Sequence, residues 1–341
     1  MTQPLIHPWN EALWRVLPER DQLPPVMLLS GPAGVGKAAF AMAMAHALLC
    51  AQPDAGRRAC ARCSGCRLAL AGNHPDLRVL GAEEDQEDER SSGGDGGTAK
   101  TKSSRWIKVG SVRQLADFLA FSAHLGGRKV VVVEQADRLH PSAANAMLKT
   151  LEEPPSLTHF LLVSGRAARL PATVRSRCVT LTFALPGIES GVSWLREQGA
   201  ARPELALAQA GLAPLTALGL DAPEYWAVRD AFVEAVLARD DFDPVAVVDR
   251  LGQESLPAIV QALQRWCYDL VSFAVSGVVR YNPDCAQILH RLAARSSLLS
   301  LLRYQRQLNE VVRSIEHPLN ARLVAQRCLF GYRAALSGTE A

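Results

Sequence analysis

A glycine-rich segment near the start of the chain has residue types and spacing suited to binding phosphate. Residues 31–38 read Gly-Pro-Ala-Gly-Val-Gly-Lys-Ala. Glycines let successive backbone N–H groups turn towards a phosphate, and a lysine at the end of the loop reaches the outer phosphates of a nucleotide. The residues at these positions are Gly31, Gly34, Gly36 and Lys37. The pattern fails only at Ala38, where a serine or threonine hydroxyl would hold Mg²⁺.

A second segment, residues 129–137, begins with an apolar run that predicts a strand. The residues that follow this run occupy the positions that would support the metal and activate water. Hydrolytic proteins with this loop usually place Asp-Glu after four apolar residues, the Asp for the metal and the Glu for water. Here the pair is Glu134-Gln135, and a neutral amide cannot act as a general base. Because Ala38, Glu134 and Gln135 all depart from the pattern, we predict a nucleotide fold without useful ATPase activity, in which ATP binding itself is doubtful.

Four cysteines lie within seventeen residues and have the spacing of metal ligands. They are Cys50, Cys60, Cys63 and Cys66. Four thiolates close a tetrahedron around Zn²⁺, and the arginines among them favour the thiolate form. Those arginines are Arg57, Arg58, Arg62 and Arg67. Disulfides and an iron–sulfur cluster are the competing interpretations.

The expected compartment favours metal binding over disulfides. The chain opens Met-Thr-Gln-Pro, without a charged region followed by an apolar one, so we expect a cytoplasmic protein. Clustered cysteines in a reducing cytosol are more often metal ligands than disulfides. The other four cysteines are scattered and are predicted to be small apolar residues: Cys178, Cys267, Cys285 and Cys328.

The phosphate-binding loop and the residues at 134–135 are far apart in the chain, so a sheet is needed to bring them together. Apolar runs at residues 25–30, 77–80, 129–133 and 159–164 predict strands, and helical patterns follow at 38–49 and 143–153. The order of strand, glycine loop and helix is the one that phosphate binding requires, which disfavours an accidental glycine turn. The pattern therefore predicts an α/β fold. Beyond residue 185 the sequence pattern predicts helices and no strands.

Five motifs in this order resemble the bacterial clamp-loader subunits of the DNA polymerase III holoenzyme, which belong to the AAA+ class. The motifs are the phosphate-binding loop, the cysteine cluster, His74-Pro75-Asp76, the segment Leu-Lys-Thr-Leu-Glu-Glu-Pro-Pro at 148–155 and Ser176-Arg177-Cys178. The resemblance is strong over residues 1 to about 185 and weaker beyond.

The resemblance implies a role for each segment. Ser176-Arg177-Cys178 matches the arginine-finger motif, which assigns Arg177 to the ATP site of an adjacent subunit, with Arg175 as the alternative. Ser164 lies near the sensor position. The partners implied are the gamma/tau and delta subunits in a hetero-oligomeric ring, with the sliding clamp and primed DNA contacted through that complex, and no membrane.

The same resemblance divides the chain into three domains. Residues 1–184 form the P-loop AAA+ domain with a zinc module at 50–66, residues 185–227 a small helical lid, and residues 228–341 an all-α collar for oligomerisation. The segment 83–104 is acidic and rich in Gly and Ser, which predicts a disordered surface loop.

Two other functions remain open at this point. An active clamp-loader ATPase of the gamma/tau type would need the hydroxyl and the acidic pair that the chain lacks. A zinc-dependent nucleic-acid-binding module would bind DNA tightly by itself, and the net charge of only +3 over 341 residues argues against a large DNA-binding surface.

Overall fold

The structure is a computed structural model that describes residues 4–81, 106–125, 127–237, 242–251, 256–314 and 321–337. The segment predicted as a disordered loop, 83–104, lies outside the described residues. The chain forms two compact units, Met1–Leu185 and Pro186–Ala341. None of the helices in the described ranges is both long and apolar enough to cross a membrane.

The first unit is built on a parallel five-stranded sheet. Its strands are Val26–Ser30 (β1), Leu77–Leu80 (β2), Lys129–Val133 (β3), Thr158–Ser164 (β4) and Val179–Thr182 (β5). Their order across the sheet is β2-β3-β4-β1-β5, and every neighbouring pair is parallel. β3 and β4 are buried along their whole length, as expected for central strands covered on both faces. The predicted α/β fold is confirmed, whereas β5 was not predicted.

Helices cover both faces of this sheet. They are Glu11–Arg15 (α1), Lys37–Leu49 (α2), Ser64–Leu70 (α3), Val109–Ala120 (α4), Pro141–Glu152 (α5) and Ala172–Arg175 (α6). One apolar core joins α2 to the sheet through residues such as Phe40 and Leu161. A second core joins α4 and α5 to the opposite face through residues such as Met147 and Phe160.

The parallel arrangement places the functional loops along one edge. Each strand of a parallel sheet ends at the same edge, so the loops after β1, β3 and β4 begin there together. The register pairs Ser30, the last residue of β1, with Ser164, the last residue of β4. It also pairs Val133, the last residue of β3, with Leu162. The phosphate-binding loop and the segment that begins at Glu134 therefore start from this edge.

The described residues of the second unit form helices joined by turns and loops, with no strand among them. Its helices are Ile188–Glu197 (α7), Pro203–Gln209 (α8), Pro214–Leu220 (α9), Pro223–Leu237 (α10), Pro244–Leu251 (α11), Leu256–Ser276 (α12), Ala286–Ala293 (α13), Leu298–Ser314 (α14) and Ala321–Ser337 (α15). α12 packs against α10, α13, α14 and α15. The Trp266 indole is fully buried and donates to the Tyr332 hydroxyl at 2.9 Å.

A polar network joins α8, α10 and α12 within this unit. The amide of Gln209 donates to the carbonyl of Tyr281 at 2.8 Å and to the Asn282 side chain at 2.9 Å. The Arg265 guanidinium donates to the Gln209 amide oxygen at 3.1 Å and to the Tyr225 hydroxyl at 2.5 Å. The segments predicted as lid and collar thus bond to each other, and the boundary at residue 227 stays a prediction.

Candidate functional site

The phosphate-binding loop connects β1 to α2 and has a backbone that glycine alone accommodates at two positions. Gly36 has φ +86°, and a Cβ built there would lie 2.4 Å from the His7 ring carbon Cδ2. A Cβ at Gly31 would lie 2.4 Å from the carbonyl oxygen of Phe183. Contacts this short do not occur in folded proteins, so both positions exclude a side chain.

Residues before α1 cover the loop. The indole N–H of Trp9 and the side-chain amide of Asn10 both donate to the Val35 carbonyl, at 3.0 and 2.8 Å. His7 stacks on Trp9 with ring centroids 4.9 Å apart. The His7 ring occupies the space that a side chain at Gly36 would need. The segment 7–10 therefore packs on the loop at Val35 and Gly36, a contact that the sequence did not predict.

Lys37 faces into the loop. It is 6% exposed, and its ammonium donates to the carbonyl of Pro32, five residues earlier. Burial lowers the pKa of Lys37, while the charge of Asp137 acts to raise it. The lysine is thus held inside the loop by the chain itself.

Asp137 belongs to this site, although sequence reasoning missed it. Its carboxylate accepts from the Ser164 hydroxyl at 3.0 Å and from the backbone N–H of Gly165 at 3.1 Å. These bonds join the loops after β3 and β4. An acidic residue just after a buried strand was the available signal, but only the sheet brings it into electrostatic range of Lys37.

ATP hydrolysis requires particular side chains at positions 38, 134 and 135. The residues found there are poorly suited to it. Ala38 is exposed and offers only a methyl group. Glu134 is half-buried, and Gln135 is exposed in a left-handed conformation with φ +52°. Ser164, which the resemblance places near the sensor position, is fully buried. This arrangement can hold an anion through backbone N–H groups, but it has no hydroxyl at position 38 for a metal.

The four clustered cysteines meet at one point. Their sulfur atoms all lie within 4.8 Å of one another. Two of the separations are 4.0 Å, between Cys50 and Cys63, and 3.9 Å, between Cys60 and Cys66. A tetrahedral zinc site with Zn–S bonds of about 2.3 Å has sulfurs about 3.8 Å apart, whereas a disulfide bond is about 2.0 Å long. The cluster could therefore hold a metal ion.

Backbone N–H groups stabilise the thiolate form of part of this cluster. They lower the pKa of Cys60 to about 6, with the N–H of Arg62 contributing most and that of Cys63 next. Burial instead raises the pKa of Cys50 and of Cys66. A bound cation would favour all four thiolates, because metal ligation requires the deprotonated form.

Two of the arginines predicted to favour the thiolates have other partners. The Arg58 guanidinium donates to both carboxylate oxygens of Glu11 at 2.6 Å. Arg57 donates to the carbonyl of Leu17 and, at 2.8 Å, to that of Arg15. These arginines therefore attach the cysteine module to α1 and the chain that follows it.

Arg177 lies two residues beyond α6 and is held by its own chain. One terminal nitrogen, Nη2, forms an ion pair with Glu152, the last residue of α5. The other, Nη1, donates to the carbonyl of Thr173 at 2.7 Å. The alternative candidate, Arg175, is the last residue of α6 and is exposed.

Comparisons with known proteins agree with one another. A family profile described as DNA polymerase III, delta subunit matches residues 10–186. DNA polymerase III subunit delta' of Pseudomonas aeruginosa is 40% identical over 277 residues, which cover 80% of this chain and 79% of that protein. The protein of the same name from Yersinia pestis is 35% identical over 315 residues, covering 89% and 87% of the two chains.

One similar solved structure is a DNA polymerase III gamma subunit-related protein from Thermotoga maritima. It is 17% identical with a TM-score of 0.41, and the alignment covers 96% of this chain and 99% of that one.

Proposed function

Because the chain belongs to the DNA polymerase III subunit delta' family, we propose that it acts in the clamp loader of that polymerase without hydrolysing ATP, and that it supplies Arg177 to the ATP site of an adjacent subunit. Family membership makes the chain part of the clamp-loader assembly. To this membership the proposal adds two statements: the chain does not hydrolyse ATP, and Arg177 acts in the ATP site of a neighbouring subunit.

One observation carries the proposal, namely the state of the phosphate-binding loop. Lys37 is buried and bonded to Pro32, and position 38 offers only a methyl group. The segment 7–10 bonds to the loop at Val35. Phosphoryl transfer needs a metal and an oriented water, and we propose that Ala38 and Gln135 support neither of them. Residual nucleotide binding would use Gly31, Gly34, Gly36 and Lys37, and we expect it to be weak.

Arg177 suits a role in another subunit's site. A guanidinium is planar and permanently charged, so it stabilises charge that spreads over the phosphoryl oxygens during transfer. The side chain of Arg177 is 29% exposed, and it follows a short helix at the surface rather than a core strand. Such a finger accelerates phosphoryl transfer on the order of 10³ to 10⁵-fold in well-studied systems.

Zn²⁺ is the metal we propose for Cys50, Cys60, Cys63 and Cys66. The sulfur separations fit its tetrahedral coordination, and four protein ligands leave no open position, which is typical of a structural site. When bound, the ion supplies a crosslink that fixes the segment 50–66. The module also contacts α1, because the Arg58 guanidinium donates to the Glu11 carboxylate.

The partners and location complete the proposal. We propose that the chain joins the gamma/tau and delta subunits in a hetero-oligomeric ring, which loads the sliding clamp onto primed DNA in the cytoplasm. Membership of a family of DNA polymerase III subunits supports this location.

The experiment is reconstitution of the complete loader with Arg177→Ala and, as a matched control, Arg175→Ala. Both arginines lie at the same turn, so a general defect of that turn would appear in both variants. We expect Arg177→Ala to remove roughly the share of one site from the total DNA- and clamp-stimulated ATPase, and to reduce clamp loading more strongly.

The outcomes separate the alternatives. Loss with Arg175→Ala and full activity with Arg177→Ala would assign the role to Arg175. If both variants were fully active, no finger would act from this turn. ATP turnover by the isolated wild-type chain would instead identify an active ATPase. Circular dichroism and zinc content should match wild type in both variants.

A further inference from the structure

The tip of the Arg177 side chain is bound within its own chain. Both terminal nitrogens have partners in this chain, Nη2 in Glu152 and Nη1 in the Thr173 carbonyl. The inner nitrogen, Nε, is buried and has no hydrogen-bond partner among the residues that the structure describes. Arg177 cannot present its whole tip to a phosphate while these bonds persist.

Glu152 is placed for this contact by the ends of two helices. It is the last residue of α5, and α5 packs against α6, whose residue Thr173 supplies the carbonyl. The side chain of Glu152 is 48% exposed and that of Arg177 is 29% exposed. The ion pair therefore lies at the surface, where a docking subunit can reach it.

We propose that Glu152 is a positioning residue that holds Arg177 against its own subunit until the phosphates of a nucleoside triphosphate in an adjacent subunit displace the carboxylate. This inference rests on the proposed role of Arg177 in trans. The exchange is favourable because a triphosphate carries more negative charge than one carboxylate and accepts an arginine through two parallel bonds. It is reversible because a partly exposed ion pair contributes little, about a two- to fivefold effect on an equilibrium.

The first test uses the isolated full-length chain and does not depend on ATP hydrolysis. Phenylglyoxal modifies arginine guanidinium groups, and peptide mass mapping gives the rate at Arg177, with Arg175 as the internal standard. We expect Glu152→Gln to raise the rate at Arg177 about two- to fivefold and to leave Arg175 unchanged. The matched control is Glu153→Gln, at the next position, where the residue is also exposed.

Salt distinguishes an electrostatic restraint from a change in local folding. At 1 M NaCl the screening length is about 3 Å, so the ion pair weakens in the wild-type chain. The difference in rate between wild type and Glu152→Gln should then shrink, whereas a local folding defect would persist. Equal rates at low salt, or a difference that salt leaves intact, would overturn the inference.

The second test places the same variants in the reconstituted loader. We expect Glu152→Gln to raise the Arg177-dependent part of kcat/KM for ATP up to about fivefold, because the carboxylate no longer competes with the phosphates, and to have no effect in an Arg177→Ala background. A loss of activity, or an effect that persists without Arg177, would show that Glu152 does not act through the arginine. A silent Arg177→Ala variant would refute the proposed function, while the phenylglyoxal rates still report on the ion pair.

Discussion

Replacing one cysteine of the cluster should release the metal and unfold only the segment around it. We choose Cys63→Ser because the Cys63 sulfur lies 4.0 Å from that of Cys50 and accepts the N–H of Cys66 at 3.4 Å. A serine hydroxyl remains protonated at neutral pH and is a poor zinc ligand. The three sulfurs that remain leave the tetrahedral site open, so we expect less than one-tenth of a zinc per chain, against about one in wild type.

Besides the metal, the module has a small apolar cluster and the bonds of Arg57 and Arg58 to α1 and the chain after it, and a partly exposed ion pair such as Arg58–Glu11 contributes at most about 1 kcal/mol. Only Cys50, Ala59 and Cys66 are buried in its apolar cluster, and at about 1 kcal/mol each they contribute roughly 3 kcal/mol. Ordering the backbone of residues 50–66 costs roughly 17 kcal/mol at about 1 kcal/mol per residue. The difference is close to the 10–16 kcal/mol that a structural zinc supplies in small domains. Without the metal, the segment should therefore lose its order.

Metal analysis and limited trypsin digestion test this prediction. Release of the metal should speed cleavage after Arg57, Arg58 and Arg62 at least tenfold, while circular dichroism changes little, because the sheet has its own apolar cores. The matched control is Cys178→Ser, which lies outside the cluster and should keep its zinc. A Cys63→Ser chain that retains one zinc or resists trypsin would refute the reasoning, as would iron with visible absorbance in wild type.

Two further predictions concern the loop and the buried histidines. The isolated chain should show no ATP turnover above a blank, and Ala38→Thr should not create any, because water activation still fails at Gln135; multiple-turnover hydrolysis by either chain would contradict this. Burial lowers the pKa of His46, His74 and His159, so below about pH 6.5 the unfolded chain binds more protons than the folded one. The melting temperature should therefore fall between pH 7 and pH 5.5 in zinc-containing buffer, and a flat profile would show that these histidines do not destabilise the fold when they charge.

Local sequence patterns were sufficient for most of the sheet and for the cysteine cluster. β1, β3 and β4 each contain a run of four apolar residues, which is typical of a strand covered on both faces. The cysteine spacing predicted one cluster because residues three apart, such as Cys60, Cys63 and Cys66, return their sulfurs to the same point. β5 was missed because its four residues, Val179–Thr182, are mostly exposed and too few to form a clear pattern.

The contacts that sequence reasoning missed join residues far apart in the chain. Asp137 acts on Lys37 only because β1 and β3 end at one edge of the sheet. Glu152 meets Arg177 only because α5 and α6 pack together. Arg58 turns to Glu11 rather than to the sulfurs because the module lies against α1. No spacing rule encodes such pairs, since each depends on how whole elements pack.

The glycines of the phosphate-binding loop have a structural requirement that is independent of nucleotide. Gly36 must lack a side chain because the His7 ring occupies that space, and Gly31 because the backbone at Phe183 does. Replacing either glycine would displace the segment before α1 or the residue after β5, whether or not a phosphate is present. The glycine pattern therefore predicts the backbone of the loop reliably but does not by itself predict ATP binding. Turnover depends on groups other than the glycines, namely a hydroxyl at position 38 and a carboxylate at position 135, where this chain has Ala38 and Gln135.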